Sequence, residues 1–534
     1  MVFLTLALAL LQAPGPVLAP GGGATPEPAT EAVWVGYPEQ DALSCEVRLR
    51  ADFDAGRLEG EATLRFAAVS PLSVLRLDSE RVPGWEVEVL DAAGRPWPGA
   101  RRSDHQFVLP LPGVAEAGEV IEVRVRFGGT PRGAVAYRNN RYGETFLVAD
   151  PFGAGTREWL PCEDAVGDRA AFRLRLEVPA GIEAVGAGDW READDAPEGW
   201  RAFEGVTAAD LPTTLFAFGA GPWARLPEEG DPRLRPHYVY PPDVDEARAA
   251  LVHHAEWMST MEETFGPYLW AKFTTAQVPT RWGGVEYPGN VWLMEALFDA
   301  ADHGVGTLAH EFAHMWFGDG VGYARWEDAW LSEGFASYFG PWLYQSVGGM
   351  PLENVMGLAR SRWLRARRAR TRPILWSDYR NPLDLFQSSA PNTYQKGAWV
   401  LHMLRGEVGD EAFFGGISSW YRAHVGEAVT TASLVEAMEA AAGRDLDWFF
   451  QQWLERPDCP HLRVVEEDDA VVLQQVQDGE PFRIPVALAW TDADGRRRVE
   501  RVRMDGRALR VPLAPGWSRL TLDPDVQLLF ERVR

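Results

Sequence analysis

The hydrophobic pattern of this 534-residue chain changes its period twice, which divides the chain into β-rich and helical regions. From residue 33 to residue 226, apolar and polar residues alternate in short runs such as CEVRLRADFDAGRLEGEATLRF, VIEVRVRFG and AFRLRLEVPAG. Alternation of this kind is typical of strands with one buried face, and the Asp-Ala-Gly-Arg turn predicts a hairpin. We therefore predict a β-rich domain over 33–226.

Helical spacing appears near Asp243 and dominates the chain from there to about Arg456. The run DVDEARAALVHHAEWMSTMEETFG predicts a helix that ends before Gly266. The run TASLVEAMEAAAG predicts another helix, with Ser433 as its N-cap and Gly443 just past its end. A chain of this length exceeds one hydrophobic core, and we predict a mostly helical domain over 227–457.

Alternation returns after the helical region. The run RIPVALAWTDADGRRRVERVRM predicts a hairpin about Asp494 and Gly495, and hence a small β-domain over 458–534. The pattern as a whole predicts a multidomain α+β fold.

The amino terminus has the composition of a signal peptide, although it carries no Lys or Arg before its apolar run. That run, Val2 to Leu11, is too short to span a bilayer, and Val17 and Ala19 suit a cleavage site. We expect a signal peptide over 1–19, a flexible linker over 20–32 and export to the periplasm or the extracellular space, with a cytoplasmic location as the alternative. No membrane span is expected in the mature chain.

Charge and cysteine content exclude two classes of function. The formal net charge is −25, and a surface this acidic repels phosphate backbones, so nucleic acid is not an expected partner. The three cysteines, Cys45, Cys162 and Cys459, show no CxxC spacing. This excludes a disulfide scaffold and a thiolate metal site, although one disulfide remains open.

The run GTLAHEFAHMWFGDG at 306–320 carries the strongest candidate site. His310 and His314 are four residues apart, so on a helix they face the same way and can offer two imidazoles to one metal ion. Glu311 lies beside them, where it can reach a water on that ion without being a ligand. The simpler alternative is two core histidines and a surface acid.

A third ligand is needed, because catalytic zinc usually has three protein ligands and one open position. The run WEDAWLSEGFASYFGPWLYQSVGG predicts a nearby helix, and its Glu333 follows His314 with eighteen residues between. Glu333 stands among apolar residues that are expected to be buried, where an unpaired carboxylate is costly. A ligand role therefore suits Glu333 better than a solvated one.

With these motifs the chain resembles the gluzincin metallopeptidases and, within them, the M1 family of zinc aminopeptidases. HExxH, eighteen residues and then Glu-Gly carry the first likeness, and WEDAWLSEGFASYF carries the second. Three further runs match M1 motifs in the same order along the chain: WLPCEDAVGDRAAF at 159–172, GGVEYPG at 283–289 and YQKGAWVLHML at 394–404.

The resemblance implies an N-terminal β-sandwich saddle, a thermolysin-like catalytic domain and a small C-terminal β-sandwich. It also implies an enzyme that hydrolyses the N-terminal residue from peptides with a free N-terminus, using one Zn²⁺ per chain. The residues that it assigns are His310, His314 and Glu333 as zinc ligands, Glu311 as general base, Tyr394 as oxyanion donor, Glu286 as the anchor of the substrate's α-amino group, and Gly283 and Gly284 as substrate-binding backbone.

The sequence departs from the family pattern in several places. Val285 and Tyr287 replace the Met and Asn of the exopeptidase motif. We expect a short form without the large C-terminal helical domain of many members. The family often has a Gln or Glu before the Pro-Cys segment that helps to bind the amine, and Asp150 is the nearest candidate here. Two alternatives stay open: a thermolysin-like endopeptidase and a non-catalytic peptide-binding relative. An epoxide hydrolase side activity, the preferred N-terminal residue and the oligomeric state are not determined by the sequence.

Overall fold

The computed structural model describes residues 34–300, 302–513 and 516–533. The predicted signal peptide at 1–19 and the linker at 20–32 lie outside the described residues. Within the described ranges, no helix combines the length and the apolar character that a membrane span requires.

The chain divides into two compact units. The first contains the chain up to Glu262, then Pro267–Arg325 and His424–Val429, and the second contains Glu263–Gly266, Trp326–Ala423 and Thr430–Arg534. Strands dominate the amino-terminal part of the first unit, and helices dominate the middle of the chain. This agrees with the predicted α+β class, whereas the boundaries at 226/227 and 457/458 stay predictions.

The largest sheet of the first unit has seven strands. Apolar side chains lie on one face of this sheet. In the strand Gln40–Asp52, for example, Val47 and Leu49 are buried while Glu46 and Arg48 are exposed. The predicted hairpin is present, because this strand pairs antiparallel with Arg57–Ala68. In spatial order the strands are Asp189–Ala193, Trp200–Val206, Ala171–Pro179, Gln40–Asp52, Arg57–Ala68, Val120–Gly129 and Trp85–Leu90.

Smaller sheets complete the strands of the first unit. One has the order Glu183–Gly186, Phe218–Gly221, Thr145–Ala149, Val135–Asn139, and another has the order Leu72–Asp78, Gln106–Ala115, Arg101–Arg102. A five-stranded mixed sheet has the order Ala224–Leu226, His237–Val239, Thr274–Val278, Asn290–Met294, Gly284–Val285. Gly322–Tyr323 pairs with Ala428–Val429. The edge strand Gly284–Val285 places the next residues of the chain beside the candidate site.

The helix predicted before Gly266 is in fact two helices, Val244–Ala250 and His254–Thr264. The second helix starts anew because the Glu228 carboxylate accepts a hydrogen bond from the backbone N–H of His254 at 3.1 Å. A third helix, Val305–His314, carries the two histidines. Short 3-10 turns lie at Thr156–Glu158, Thr213–Leu215, Pro241–Asp243 and Leu297–Asp299.

The second unit is helical at first and then β-rich. Its helices begin with the 3-10 turn Trp326–Asp328, followed by Trp330–Ser346, Leu352–Arg365, Arg367–Arg370, Leu383–Phe386, Asn392–Lys396, Gly397–Val408, Asp410–His424, Thr431–Ala442, Asp447–Phe450 and Gln451–Glu455. Two sheets follow, with the orders Ala508–Pro512, Ala470–Gln475, His461–Glu466, Glu531–Val533 and Arg497–Met504, Ile484–Asp492, Trp517–Leu522. The predicted hairpin about Gly495 is present, since Ile484–Asp492 pairs antiparallel with Arg497–Met504.

The prediction of Ser433 as a helix N-cap is wrong. The helix begins at Thr431, whose N-cap is Thr430, so Ser433 lies in the first turn. The Asp328 carboxylate accepts hydrogen bonds from the backbone N–H of Thr431 at 3.0 Å and from its hydroxyl at 2.6 Å, which fixes the earlier start. Gly443 follows the last helical residue in the left-handed conformation with φ 63°, as predicted.

Candidate active site

The helix Val305–His314 sets the geometry of the two histidines. The Nε2 atoms of His310 and His314 lie 3.3 Å apart, and their ring centroids lie 4.8 Å apart. The Nδ1 of His314 lies 3.1 Å from the carbonyl oxygen of Phe317, an atom that can only accept a hydrogen bond. The proton of a neutral His314 therefore sits on Nδ1, which leaves the Nε2 lone pair directed towards His310.

This arrangement fits two nitrogen ligands of one metal ion. Zinc binds imidazole nitrogen at about 2.0–2.1 Å in tetrahedral geometry, so two such ligands lie about 3.3 Å apart. The Nε2–Nε2 distance has that value. A second-sphere acceptor such as the Phe317 carbonyl is also what a metal-binding histidine usually has.

Glu311 lies on the same helix and is 5% exposed. Its side chain lies against Gly284: a β-carbon added at position 284 would be 2.4 Å from Glu311 Oε1. Glycine is therefore required here for the close approach of the backbone to the carboxylate. The strand register that brings Gly284 to this position pairs it with Leu293.

Glu286 follows the same edge strand and is 7% exposed. Ligand atoms of Glu286, Glu311 and His314 all lie within 4.8 Å of one another, and Glu286 Oε1 lies 3.9 Å from His314 Nδ1. Two buried carboxylates beside two imidazoles make a strongly negative pocket unless a cation is present. The group is therefore suited to a metal ion, an ammonium group or both.

Asp150 follows the strand Thr145–Ala149 and is half-buried. Both of its carboxylate oxygens accept hydrogen bonds from side chains: Oδ1 from the Tyr287 hydroxyl at 2.7 Å and Oδ2 from the Thr280 hydroxyl at 3.1 Å. The predicted contact of Asp150 with a substrate amine stays a prediction, but the carboxylate already has two donors of its own.

Glu333 and Tyr394 belong to the second unit and contact each other there. The Tyr394 hydroxyl donates to Glu333 Oε1 at 2.6 Å, and Glu333 is 2% exposed. The helix that carries Glu333 approaches the chain just after Tyr394 closely, since a β-carbon at Gly334 would lie 3.0 Å from the Gly397 Cα. Two small residues thus allow the backbone approach that brings the tyrosine to the glutamate.

Asp319 is a residue of this region that the sequence did not single out. It is fully buried, and within the described chain neither of its carboxylate oxygens has a hydrogen-bond partner. Burial raises the pKa of Asp319 well above its usual range, and the charge of Glu286 adds to the shift, whereas His314 and Arg169 oppose it. The signal in the sequence was an acid within the apolar run MWFGDG.

A second cluster, Glu228, His237 and His254, contains ligand types but is hydrogen-bonded internally. Glu228 Oε2 lies 2.7 Å from His237 Nε2 and 2.7 Å from His254 Nδ1, which is shorter than the separation of about 3.2 Å expected for two ligands of one zinc ion. His237 Nδ1 accepts the backbone N–H of Thr275 at 3.1 Å, so its Nε2 carries the proton. Although burial opposes it, the two imidazoles lower the pKa of Glu228 to about 2. This cluster is therefore a structural network, and His254 in it is fully buried.

The three cysteines form no disulfide with one another. Cys45, Cys162 and Cys459 are all free and buried. Burial raises the pKa of each thiol, which keeps the three side chains protonated and unreactive.

The helix with HExxH and the adjoining buried acids have the residue types of a metal-dependent hydrolase. Comparison with known protein families agrees with this, because residues 249–453 match the Peptidase family M1 domain. The resemblance seen in the motifs is thereby confirmed for this part of the chain.

Several curated proteins that resemble this chain are named as aminopeptidases. The chain is 31% identical over 255 residues to Aminopeptidase N of Streptomyces lividans, covering 43% of this chain and 30% of that protein. It is 24% identical to Leucyl aminopeptidase of Saccharolobus solfataricus, covering 67% of this chain and 47% of that protein. It is 21% identical to Probable aminopeptidase 1 of Sulfurisphaera tokodaii, covering 79% of this chain and 56% of that protein. The chain thus spans between about a third and somewhat more than half of the length of these relatives.

Proposed function

We propose that this chain is a zinc-dependent aminopeptidase, which hydrolyses the first peptide bond of peptides with a free N-terminus. The observation that carries the proposal is the pair of Nε2 atoms of His310 and His314, 3.3 Å apart beside the buried carboxylates of Glu311 and Glu286. The M1 domain match and the names of the relatives support it.

His310, His314 and Glu333 would hold one zinc ion. Two imidazoles and a carboxylate are a donor set of catalytic zinc sites that leaves one position open. Burial of Glu333 supports its role, because a buried carboxylate needs a compensating positive charge. When bound, zinc acts as a Lewis acid and lowers the pKa of water towards about 7.

Glu311 would act as the general base. Its carboxylate lies against the Gly284 backbone and within 4.8 Å of a ring nitrogen of His314, where it can take a proton from the attacking water and pass it to the leaving amine. Tyr394 would donate a hydrogen bond to the oxygen that becomes charged during attack. The 2.6 Å bond of Tyr394 to Glu333 keeps the hydroxyl beside the proposed third ligand. Its single proton would turn from Glu333 to the substrate oxygen as charge develops there.

Glu286 would select the first peptide bond. A buried carboxylate that accepts hydrogen bonds from an α-ammonium group fixes the end of the peptide, so only the adjacent carbonyl can reach the reacting water. The backbone of Gly283 and Gly284 would lie along the same peptide. The Gly283 carbonyl accepts a hydrogen bond from the backbone N–H of Met294 at 3.2 Å, which holds this segment at the edge of the sheet.

The experiment compares aminoacyl fluorogenic substrates with a free amine and with an acetylated amine, on the wild type and on Glu286→Ala. A charge-assisted contact contributes roughly 1.5–3 kcal/mol, so Glu286→Ala should lose at least about tenfold in kcat/KM on free substrates while keeping its zinc. Wild-type protein should cleave the acetylated substrates poorly. Equal cleavage of both would instead favour the endopeptidase alternative, and no turnover of any peptide would favour the binding protein.

A further inference from the structure

The contacts of Asp150 point to a role different from direct binding of the amine. Its two carboxylate oxygens accept from Tyr287 and Thr280, and these two residues lie on either side of Gly283, Gly284 and Glu286. The carboxylate therefore holds both ends of the segment 280–287, named here the substrate loop. The sequence separations are 137 and 130 residues, so these are tertiary contacts between the end of a strand and a distant loop.

The two ends of the substrate loop are held by further contacts. Tyr287 is fully buried, and its ring packs edge-on against Trp292 with centroids 5.8 Å apart. Burial, followed by the charge of Asp150, raises the pKa of Tyr287, so its hydroxyl stays protonated and remains a donor. At the other end the Thr280 hydroxyl accepts from the backbone N–H of Trp282 at 3.2 Å.

We propose that Asp150 is a positioning residue, which fixes the substrate loop at Thr280 and Tyr287 and thereby sets the place of Glu286. The inference rests on the proposed function for what Glu286 binds. If Asp150 turned towards a substrate ammonium group, it would give up a 2.7 Å bond to a buried hydroxyl, which would then lack a partner at considerable cost. Asp150 and Tyr287 both depart from the family pattern, and they contact each other. One contact thus accounts for the two departures together.

Three variants separate positioning from direct binding. Asp150→Ala removes both acceptors, and Tyr287→Phe removes one donor from the loop. Asp150→Asn keeps the shape and can keep both contacts, because its Oδ1 accepts from Tyr287 and its NH₂ donates to the Thr280 oxygen. Positioning predicts that Asp150→Ala and Tyr287→Phe each lower kcat/KM on free-amine substrates by about ten- to a hundredfold, while Asp150→Asn stays within about fivefold of the wild type. The kcat/KM on acetylated substrates should not change.

Direct binding of the amine predicts the reverse order. Asp150→Asn would then lose as much as Asp150→Ala, because the charge is gone, and Tyr287→Phe would resemble the wild type. That result would overturn the inference. Tyr268→Phe is the matched control: this tyrosine is also buried, and its hydroxyl donates to a backbone carbonyl, that of Lys272, at 2.8 Å.

Hydrogen–deuterium exchange tests without any catalysis whether Asp150 fixes the substrate loop, an arrangement called here the clamp. Amides of 280–287 should exchange at least about tenfold faster in Tyr287→Phe and Asp150→Ala than in the wild type or in Tyr268→Phe. Unchanged exchange in both variants would refute the clamp, even if their activity fell. A wild type that cleaves no peptide would refute the proposed function, and the exchange rates would still decide the clamp.

Discussion

Replacement of Gly284 by alanine should displace the general base while leaving the fold intact. Gly284 has no positive φ, and it pairs with Leu293 in an ordinary strand, so alanine fits its backbone conformation. The added β-carbon, however, would lie 2.4 Å from Glu311 Oε1 and 2.5 Å from both Cδ and Cγ of the same side chain.

The size of the effect follows from these distances. Non-bonded carbon and oxygen atoms settle at roughly 3.5 Å, so the Glu311 carboxylate has to move by about 1 Å. The moving atoms, Cγ, Cδ and Oε1, belong to a flexible side chain and not to the backbone, which makes the shift inexpensive for the fold. A displacement of 1 Å in a catalytic group costs about 10²-fold in rate, and we expect that loss in kcat.

The assay is steady-state kinetics on one free-amine substrate, with zinc content and the thermal midpoint measured on the same samples. Gly113→Ala is the matched control, because Gly113 also lies in a strand without positive φ and its β-carbon would meet nothing within 4 Å. Gly284→Ala with normal zinc content and with kcat within about threefold of wild type would refute the role of Glu311 and of this close approach. Loss of fold or of zinc would refute the claim that only the side chain of Glu311 moves.

Three further predictions concern other residues. Glu333→Ala should lose most of its zinc in metal analysis and its activity with it; a variant that keeps both would exclude Glu333 as a ligand. Tyr394→Phe should keep fold and zinc but lose about 10²–10³ in kcat with little change in KM, as expected of an oxyanion donor, and a kcat within about threefold of wild type would remove Tyr394 from the mechanism. Burial lowers the pKa of Lys272 to about 7 from its usual 10.5, so between these values the unfolded chain binds more protons and the stability of the wild type rises with pH. Lys272→Met should therefore raise the thermal midpoint most at pH 6 and less at pH 9, and a gain that grew with pH would contradict the assignment.

The motifs of the site could be predicted because they are local. His310 and His314 face the same way on any helix, and the run of apolar residues around Glu333 was enough to predict that it is buried. The hairpins about Gly56 and Gly495 were likewise encoded in short alternating runs with turn residues between them.

What the sequence did not predict depends on contacts between distant residues. The break between Ala250 and His254 arises from Glu228, and the start of the helix at Thr431 arises from Asp328, more than a hundred residues away. The same holds for Asp150, whose role was sought in its distance from the Pro-Cys segment but whose partners are Tyr287 and Thr280. Periodicity and capping rules contain no information on such partners.

Metal dependence of peptide cleavage tests the proposed function most directly. Purified protein is stripped with a chelator, and turnover of one free-amine aminoacyl substrate is followed while Zn²⁺ is added back, with His314→Phe as a control. The proposal predicts that activity disappears on stripping, returns in proportion to bound zinc and saturates at one ion per chain, whereas the control neither binds stoichiometric zinc nor turns over. Undiminished turnover by metal-free protein, or stoichiometric zinc that restores no cleavage of a free N-terminus, would contradict it.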